Sequence, residues 1–213
     1  MRFFILLRSD ENVVDFVLLS GPAAYLSPAT LVDSDAPEIA AFVDKRLLDC
    51  DEIEAARRVF LYVRDEVAHS WDIQGHRVTR SASDALNFGE GICYPKSHLV
   101  AALLRRRGIP TALCYQRLTL FDDERGGYSI HALNAVFLNG AWHRIDARGN
   151  KEGVAAEFSL GEERLAFPVR PERDEVDYPT LYAVPHPVIV KTLMSNEDAH
   201  FMYTKNLPTQ LSS

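Results

Sequence analysis

An Asn-Gly pair at residues 139–140 separates two apolar runs of the chain. In this setting the pair strongly favours a β-hairpin closed by a two-residue type I′ loop, because both residues tolerate positive φ. The sequence therefore predicts antiparallel strands over residues 129–138 and 141–146. A loop of this length also fixes the register, so that Leu138 faces Ala141 and, further along, Leu133 faces the position of Asp146.

This register brings a histidine and an aspartate together. His131 precedes Leu133 by two residues, so it becomes a diagonal neighbour of Asp146 on the same face of the hairpin. Diagonal neighbours lie about 7–8 Å apart, a gap that an imidazole and a carboxylate can bridge with a hydrogen bond. A carboxylate at the end of an apolar strand is costly to bury unless it is paired. We therefore predict that Asp146 orients His131; a core histidine bonded to a backbone carbonyl is the alternative.

Residues 89–110 are typical of a glycine-rich approach to a helix that begins at or beside Cys93. Pro95 fits only a first helical turn, Arg105–Arg107 suit the negative end of the helix dipole, and Gly108 suits the position after the helix. The partial positive charge at a helix N-terminus favours thiolate over thiol, as a nucleophilic cysteine requires. The alternative is that Cys93 is a small buried hydrophobic residue.

Capping patterns predict two helices upstream of this segment, one from Asp35 to about residue 48 and one that begins after Asp51. The apolar positions that recur at helical spacing in the second are Ile53, Ala56, Phe60, Val63 and Val67. Residues 83–88 are predicted to form a short helical turn in a long loop, and residues 111–120 to form a strand.

The whole chain, residues 1–213, is predicted to form a single domain. Residues 1–27 are interpreted as N-terminal strands, residues 28–165 as the catalytic core, and residues 166–213 as a C-terminal arm and helix. Five prolines from Pro168 to Pro187 favour an extended arm over the surface. A last helix is predicted from about Val188 to Ala199.

Charge and cysteine content exclude several classes of protein. The 213 residues carry 23 Lys and Arg against 30 Asp and Glu, a net charge of -7, which has the wrong sign for binding a nucleic-acid backbone. The apolar run Phe3–Leu7 is too short for a signal segment or a membrane span, so we expect a cytoplasmic protein with no membrane partner. Cys50, Cys93 and Cys114 form no C-x-x-C pair, which argues against a disulfide scaffold or a zinc ribbon.

Three short motifs occur in the order Cys, His, Asp: Gly91-Ile-Cys93, Ile130-His131-Ala132, and Trp142-His-Arg-Ile-Asp146-Ala-Arg-Gly-Asn150. In this order and spacing the chain resembles the transglutaminase-like superfamily of papain-type cysteine enzymes, in particular its bacterial cysteine protease branch. The resemblance implies an α+β papain-like, transglutaminase-core fold, in which the nucleophile-bearing helix packs on an antiparallel sheet. It also implies that Cys93 is the nucleophile, His131 the general base and acid, and Asp146 the orienting carboxylate.

Such a triad would form a thioester with an amide substrate, and water or a second amine would then resolve it. The oxyanion of this step needs donors, of which one is predicted to be the Cys93 backbone N–H. For the second donor there are two candidates, Trp71, which precedes the nucleophile where the family places such a group, and Gln116 on the neighbouring strand. Packing in the core is the alternative role for Trp71.

We therefore predict a peptidase- or amidase-like enzyme acting on a peptide, protein or small amide, with no cofactor or metal. The sequence does not indicate its oligomeric state. Amine transfer to a glutamine carboxamide is an alternative reaction, although Ala147-Arg148 departs from the sequence of the cross-linking enzymes. A catalytically inactive binding module on the same fold is an alternative of another class.

A metal site drawn from His69, His76, His98 and Cys93 is disfavoured, because these residues lack an i, i+4 histidine pair. The acidic clusters at 122–124 and 172–177 lack an EF-hand pattern.

Overall fold

This computed structural model describes residues 3–4, 16–120 and 126–211, which contain both strands and helices. The strands are β1 (Phe3–Phe4), β2 (Val17–Leu18), β3 (Ala68–His69), β4 (Glu90–Gly91), β5 (Thr111–Thr119), β6 (Tyr128–Leu138), β7 (Ala141–Ile145) and β8 (Val176–Tyr182). The α-helices are α1 (Pro37–Arg46), α2 (Glu52–Asp65), α3 (Ala82–Phe88), α4 (Cys93–Arg106), α5 (Pro187–Met194) and α6 (Ala199–Lys205). Among these residues no helix is long and apolar enough to cross a bilayer.

Six strands form one sheet in the order β1-β2-β8-β5-β6-β7, in which only β2 and β8 pair in parallel. The β6–β7 hairpin has the predicted register, with Leu138 opposite Ala141. Asn139 and Gly140 have φ of 52° and 80°, as a type I′ loop requires. The ladder ends at the Ile145 pair, so Asp146 lies directly after it.

Helix α4 runs through the core, and its residues from Tyr94 to Arg105 are all buried. On one side it packs on β5 and β6, and on the other it contacts α1, α2 and α3. The predicted α+β fold, with the cysteine-bearing helix on a mainly antiparallel sheet, is confirmed. The end of α4 is also as predicted, because Gly108 adopts a φ of +90° that other residues avoid.

The upstream helices differ from the prediction in two details. Helix α1 has Ala36 at its N-cap, and no side chain caps it, so the prediction of an Asp35 cap was wrong. Helix α2 is capped as predicted, since the Asp51 carboxylate accepts a hydrogen bond from the Glu54 N–H at 2.8 Å. Ile53, however, is 37% exposed, because it lies in the first turn before α2 enters the core. The other four apolar positions of the stripe are buried.

The C-terminal predictions need larger corrections. Part of the predicted surface arm, Val176–Tyr182, forms β8, an internal strand between β2 and β5. The sheet accepts Pro179 because the β5–β8 register shifts between the Leu113 and Tyr115 pairs, where a missing N–H costs no ladder bond. The single predicted last helix is two helices, since Asp198 caps α6 by accepting from the Phe201 N–H at 2.7 Å. Most of the predicted N-terminal strand region before residue 16, and the acidic cluster at 122–124, lie outside the described residues.

Candidate active site

Cys93 is the first residue of α4 and is partly buried. The chain reaches it through Gly91, where a Cβ atom would lie 2.8 Å from Pro95 Cγ and 3.0 Å from Thr79 Oγ1, so only glycine fits without displacement. Ile92 is the N-cap, and its apolar side chain makes no capping bond. The first N–H groups of α4 therefore have no side-chain acceptor at the cap, and they lie beside the thiol.

His131 and Asp146 form the predicted pair. His131 Nε2 lies 2.8 Å from Asp146 Oδ2, and both side chains are buried, at 5% and 1% exposure for the two residues. Two backbone groups hold the carboxylate in place: the Ala166 N–H donates to Oδ2 and the Arg148 N–H to Oδ1, each at 3.1 Å. With Nε2 committed to Asp146, the ring nitrogen left for proton exchange with a thiol is Nδ1.

The electrostatics of this pair favour a charged histidine beside a charged carboxylate. Burial alone would lower the pKa of His131, but the Asp146 charge, the hydrogen bond to it and hydrogen bonding with Cys93 together raise that pKa. Burial alone would raise the pKa of Asp146, but the charge of His131, its hydrogen bond and the two backbone N–H groups lower it. The pair can therefore hold an imidazolium after the thiol has given up its proton.

Cys93 and His131 both line a cavity of about 460 Å³. Its walls combine apolar with polar and charged side chains, and Phe167 meets the His131 ring edge-on with the ring centroids 5.3 Å apart. The other apolar residues of the wall include Ile92, Leu118, Leu120, Ile130, Val154, Ala166, Pro168 and Leu207. A carbonyl that enters this cavity meets the thiol and the imidazole together.

Residues 43–147, which include Cys93, His131 and Asp146, match the model of the transglutaminase-like superfamily. The chain contains a transglutaminase-like superfamily domain. The resemblance of the three sequence motifs to this superfamily is thereby confirmed. No curated protein matches the chain significantly. A solved structure described as a "putative cysteine protease" from Cytophaga hutchinsonii is similar at 21% identity and a TM-score of 0.46, over 61% of this chain and 43% of that one. This chain therefore spans less than half the length of that protein.

The two candidates for the second oxyanion donor occupy different places in the transglutaminase-like domain. Gln116 lies opposite His131 in the β5–β6 register and is buried, with no hydrogen-bond partner for its Oε1. Trp71 stacks on Tyr203 with the ring centroids 4.5 Å apart, and on His200 at 5.3 Å. Tyr203 lines the cavity, whereas Trp71 and Gln116 are not among its lining residues. Both assignments stay predictions.

An ion pair that sequence reasoning did not identify supports the residues after Asp146. Arg148 lines the cavity and donates from Nη2 to Asp72 at 2.9 Å, and Lys151 Nζ donates to the same carboxylate at 3.0 Å. Burial alone would raise the pKa of Asp72, but these two cations lower it to about 2. Asp72 is 76 positions from Arg148, so no local pattern indicates their contact.

Lys96 links the start of α4 to the end of α2. It is buried one turn after Cys93, and its Nζ donates to the Val63 carbonyl at 2.6 Å and also to the Val67 carbonyl. These carbonyls belong to the end of α2 and the turn after it, where they lack a full set of helical partners. Burial lowers the pKa of Lys96 to about 7. The lysine fixes the position of the helix turn that carries the thiol.

Two of the three histidines considered for a metal site have separate hydrogen-bond partners. His76 Nδ1 lies 2.6 Å from Asp198 Oδ2 near the surface, and His98 Nδ1 lies 3.2 Å from the Arg80 carbonyl in the core. His69 is in β3, against the strand that leads to Cys93. Within the described ranges, no three His, Cys, Asp or Glu side chains are grouped in a way that could hold a metal ion.

Proposed function

We propose that the protein is a thiol-dependent acyl-transfer enzyme that cleaves amide bonds in the manner of a peptidase or amidase. The observation that carries the proposal is the buried His131–Asp146 hydrogen bond, 2.8 Å long, beside a cavity that His131 shares with Cys93 at the start of a helix. A nucleophile, a base and a group that orients the base are the minimum set for this chemistry. The superfamily match supports the same general assignment.

The proposed reaction gives each of these groups a role. His131 Nδ1 takes the proton of the Cys93 thiol, and the sulfur attacks the substrate carbonyl carbon. The C=O π pair moves to oxygen and returns when the C–N bond breaks, while His131 protonates the departing amine. Water then attacks the thioester, with His131 again as the base, and releases the acid and the free thiol.

The cavity walls point to a substrate whose acyl side is apolar. The two arginines that line it are already paired, Arg148 with Asp72 at 2.9 Å and Arg170 with Glu175 at 2.6 Å. About half of the other lining side chains are hydrocarbon, so a bound apolar group gains free energy from burial against them. Peptides and small amides with an apolar group next to the scissile carbonyl are therefore the first compounds to test.

The first prediction concerns the reactivity of the three thiols toward iodoacetamide. We expect Cys93 to be alkylated near pH 5 about 100-fold faster than Cys50, because His131 in the same cavity can take up the Cys93 proton, whereas Cys50 Sγ donates to the Leu47 carbonyl. Cys114 should be nearly unreactive, since burial raises its pKa to about 12. Peptide mass spectrometry after timed alkylation between about pH 4 and about pH 10 measures all three rates in one sample.

Two variants make this measurement specific. His131→Ala should remove the advantage of Cys93 at low pH, whereas His143→Ala should not. His143 lies on the same hairpin, but its Nε2 is 3.3 Å from the Leu138 carbonyl. If Cys93 instead reacts like Cys50, or keeps its advantage without His131, the catalytic proposal fails and a binding module on this fold replaces it.

A further inference from the structure

His69 lies next to the segment that delivers the nucleophile. Strand β3 pairs in parallel with β4, so that His69 is opposite Gly91, and the Ser70 N–H donates to the Gly91 carbonyl at 3.2 Å. His69 also lines the cavity together with Cys93 and His131. The fold therefore places a second imidazole at the cavity that Cys93 and His131 line.

The ring of His69 is held in place, but its hydrogen-bonding capacity is unused. The residue is 5% exposed, and Tyr203 packs against it edge-on with the ring centroids 6.1 Å apart. Nδ1 is fully enclosed and has no hydrogen-bond partner. Nε2 also makes no hydrogen bond among the described residues, but unlike Nδ1 it is not fully enclosed. It is therefore the ring nitrogen that can be reached from the cavity.

This asymmetry determines which nitrogen carries the proton. A buried N–H without an acceptor is destabilising, so placing the proton on the enclosed Nδ1 is unfavourable. The tautomer with the proton on Nε2 avoids that cost and directs an N–H into the cavity. His69 is then a donor toward any oxygen that binds there.

The surroundings of His69 keep it neutral. Burial is the main cause that lowers the pKa of His69 well below the usual range. The positive charges of Arg148, Lys96 and His131 lower it as well, and the carboxylate of Asp72 opposes them. A neutral imidazole can donate a hydrogen bond without competing with His131 for the thiol proton. A neutral histidine acting as an electrophile in this way has precedent in enzyme sites.

We propose that His69 Nε2–H is the second oxyanion donor, acting with the backbone N–H of Cys93. When the sulfur attacks the carbonyl, the C=O π pair becomes a lone pair on oxygen, and these two N–H groups stabilise its charge until the pair returns and the leaving group departs with its bonding electrons. The inference rests on the proposed thiol chemistry. It differs from the Trp71 and Gln116 predictions in using a residue that lines the cavity.

The test compares two reactions of the same thiol. Alkylation by iodoacetamide displaces iodide and forms no oxyanion, whereas acylation by p-nitrophenyl acetate passes through one. His69→Phe keeps an aromatic ring against Tyr203 and removes the N–H. We expect it to slow the acylation of Cys93, measured as the p-nitrophenolate burst, by about 100-fold. The alkylation rate should stay within about twofold of the wild-type rate, because no donor is needed there.

Further variants separate the possible outcomes. His69→Gln restores a side-chain N–H and should recover part of the acylation rate; it also provides a second test if His69→Phe does not fold by circular dichroism. His143→Phe makes the same replacement at a histidine outside the cavity and should leave both rates unchanged. An acylation rate unaffected in the His69 variants would overturn the inference, and so would an equal fall in acylation and alkylation, which would mean that His69 only positions Cys93. If Cys93 of the wild type is instead alkylated slowly, and His131→Ala does not change that rate, the proposed function itself is wrong.

Discussion

Cys93→Ala should abolish acyl transfer completely, with no residual burst and no acyl-enzyme detectable by mass spectrometry. The substitution removes one sulfur atom, and nothing else in the cavity can form the thioester, because Cys50 lies beyond the end of α1 and Cys114 is buried in the sheet. His131, Asp146 and the cavity walls keep their positions. We therefore expect substrate binding to persist while kcat falls below detection.

The fold of this variant should be nearly unaffected. Cys93 is only partly buried and lies at the edge of the core, so loss of its sulfur leaves little cavity and should cost less than about 1 kcal/mol of unfolding free energy. Cys50→Ala, a substitution of the same size outside the cavity, is the matched control and should retain full activity. Turnover of an amide substrate that survives in Cys93→Ala would refute the thiol mechanism, whichever residue then proved responsible.

The sequence predicted those parts of the site that depend on local geometry. The two-residue loop at Asn139-Gly140 sets the register from which the His131–Asp146 contact follows, and the structure has that register. The Pro95 and Gly108 signals locate both ends of α4, so that the helix was predicted to begin at or beside Cys93, and it begins at Cys93. In each case the information lies within about one helix or one hairpin of the residue concerned.

Features that depend on distant partners were missed. Val176–Tyr182 is rich in the residues that form strands, but the prolines and charges of residues 168–187 predicted a surface arm. Pairing with β2 and β5, both more than 50 positions earlier, makes it a strand. His69 was weighed only as a metal ligand, because a two-residue strand leaves no periodic pattern. The Arg148–Asp72 pair joins two loops. Such contacts are decided by packing of whole elements, which a local pattern does not record.

Asp146→Asn should lower the acylation rate by about 10³–10⁴-fold while leaving Cys93 in place. The Asp146 carboxylate accepts from three donors, His131 Nε2 and the Ala166 and Arg148 N–H groups. The asparagine amide has only one acceptor oxygen. Whichever way this amide is oriented, its NH₂ group faces at least one of the two backbone N–H donors, that of Ala166 or that of Arg148. If the NH₂ faces His131, it favours the tautomer with the proton on Nδ1, which cannot accept the thiol proton.

The unsatisfied donors should also reduce stability, by about 1–3 kcal/mol in the free energy of unfolding. Asp65→Asn is the matched control, since it removes the same charge from an exposed pair with Arg64 and should have almost no effect. Urea denaturation compares the three proteins, and the p-nitrophenolate burst compares their acylation rates. A wild-type acylation rate in Asp146→Asn would show that this carboxylate does not orient the base.

The stability difference between wild type and Asp146→Asn should depend on pH. The folded state raises the pKa of His131 from 6.5 to about 10, so the stabilisation from the pair is complete below about pH 6.5 and is lost as the pH rises toward 10. The pKa of Asp146 is lowered from 3.8, so its contribution is lost at the acidic end, as the pH falls below that value. The difference in unfolding free energy should therefore be greatest between about pH 4 and about pH 6.5 and shrink toward about pH 10. A difference that stays constant over this range would mean that the buried contact is a neutral hydrogen bond, in which case His131 could not hold the proton that the leaving amine needs.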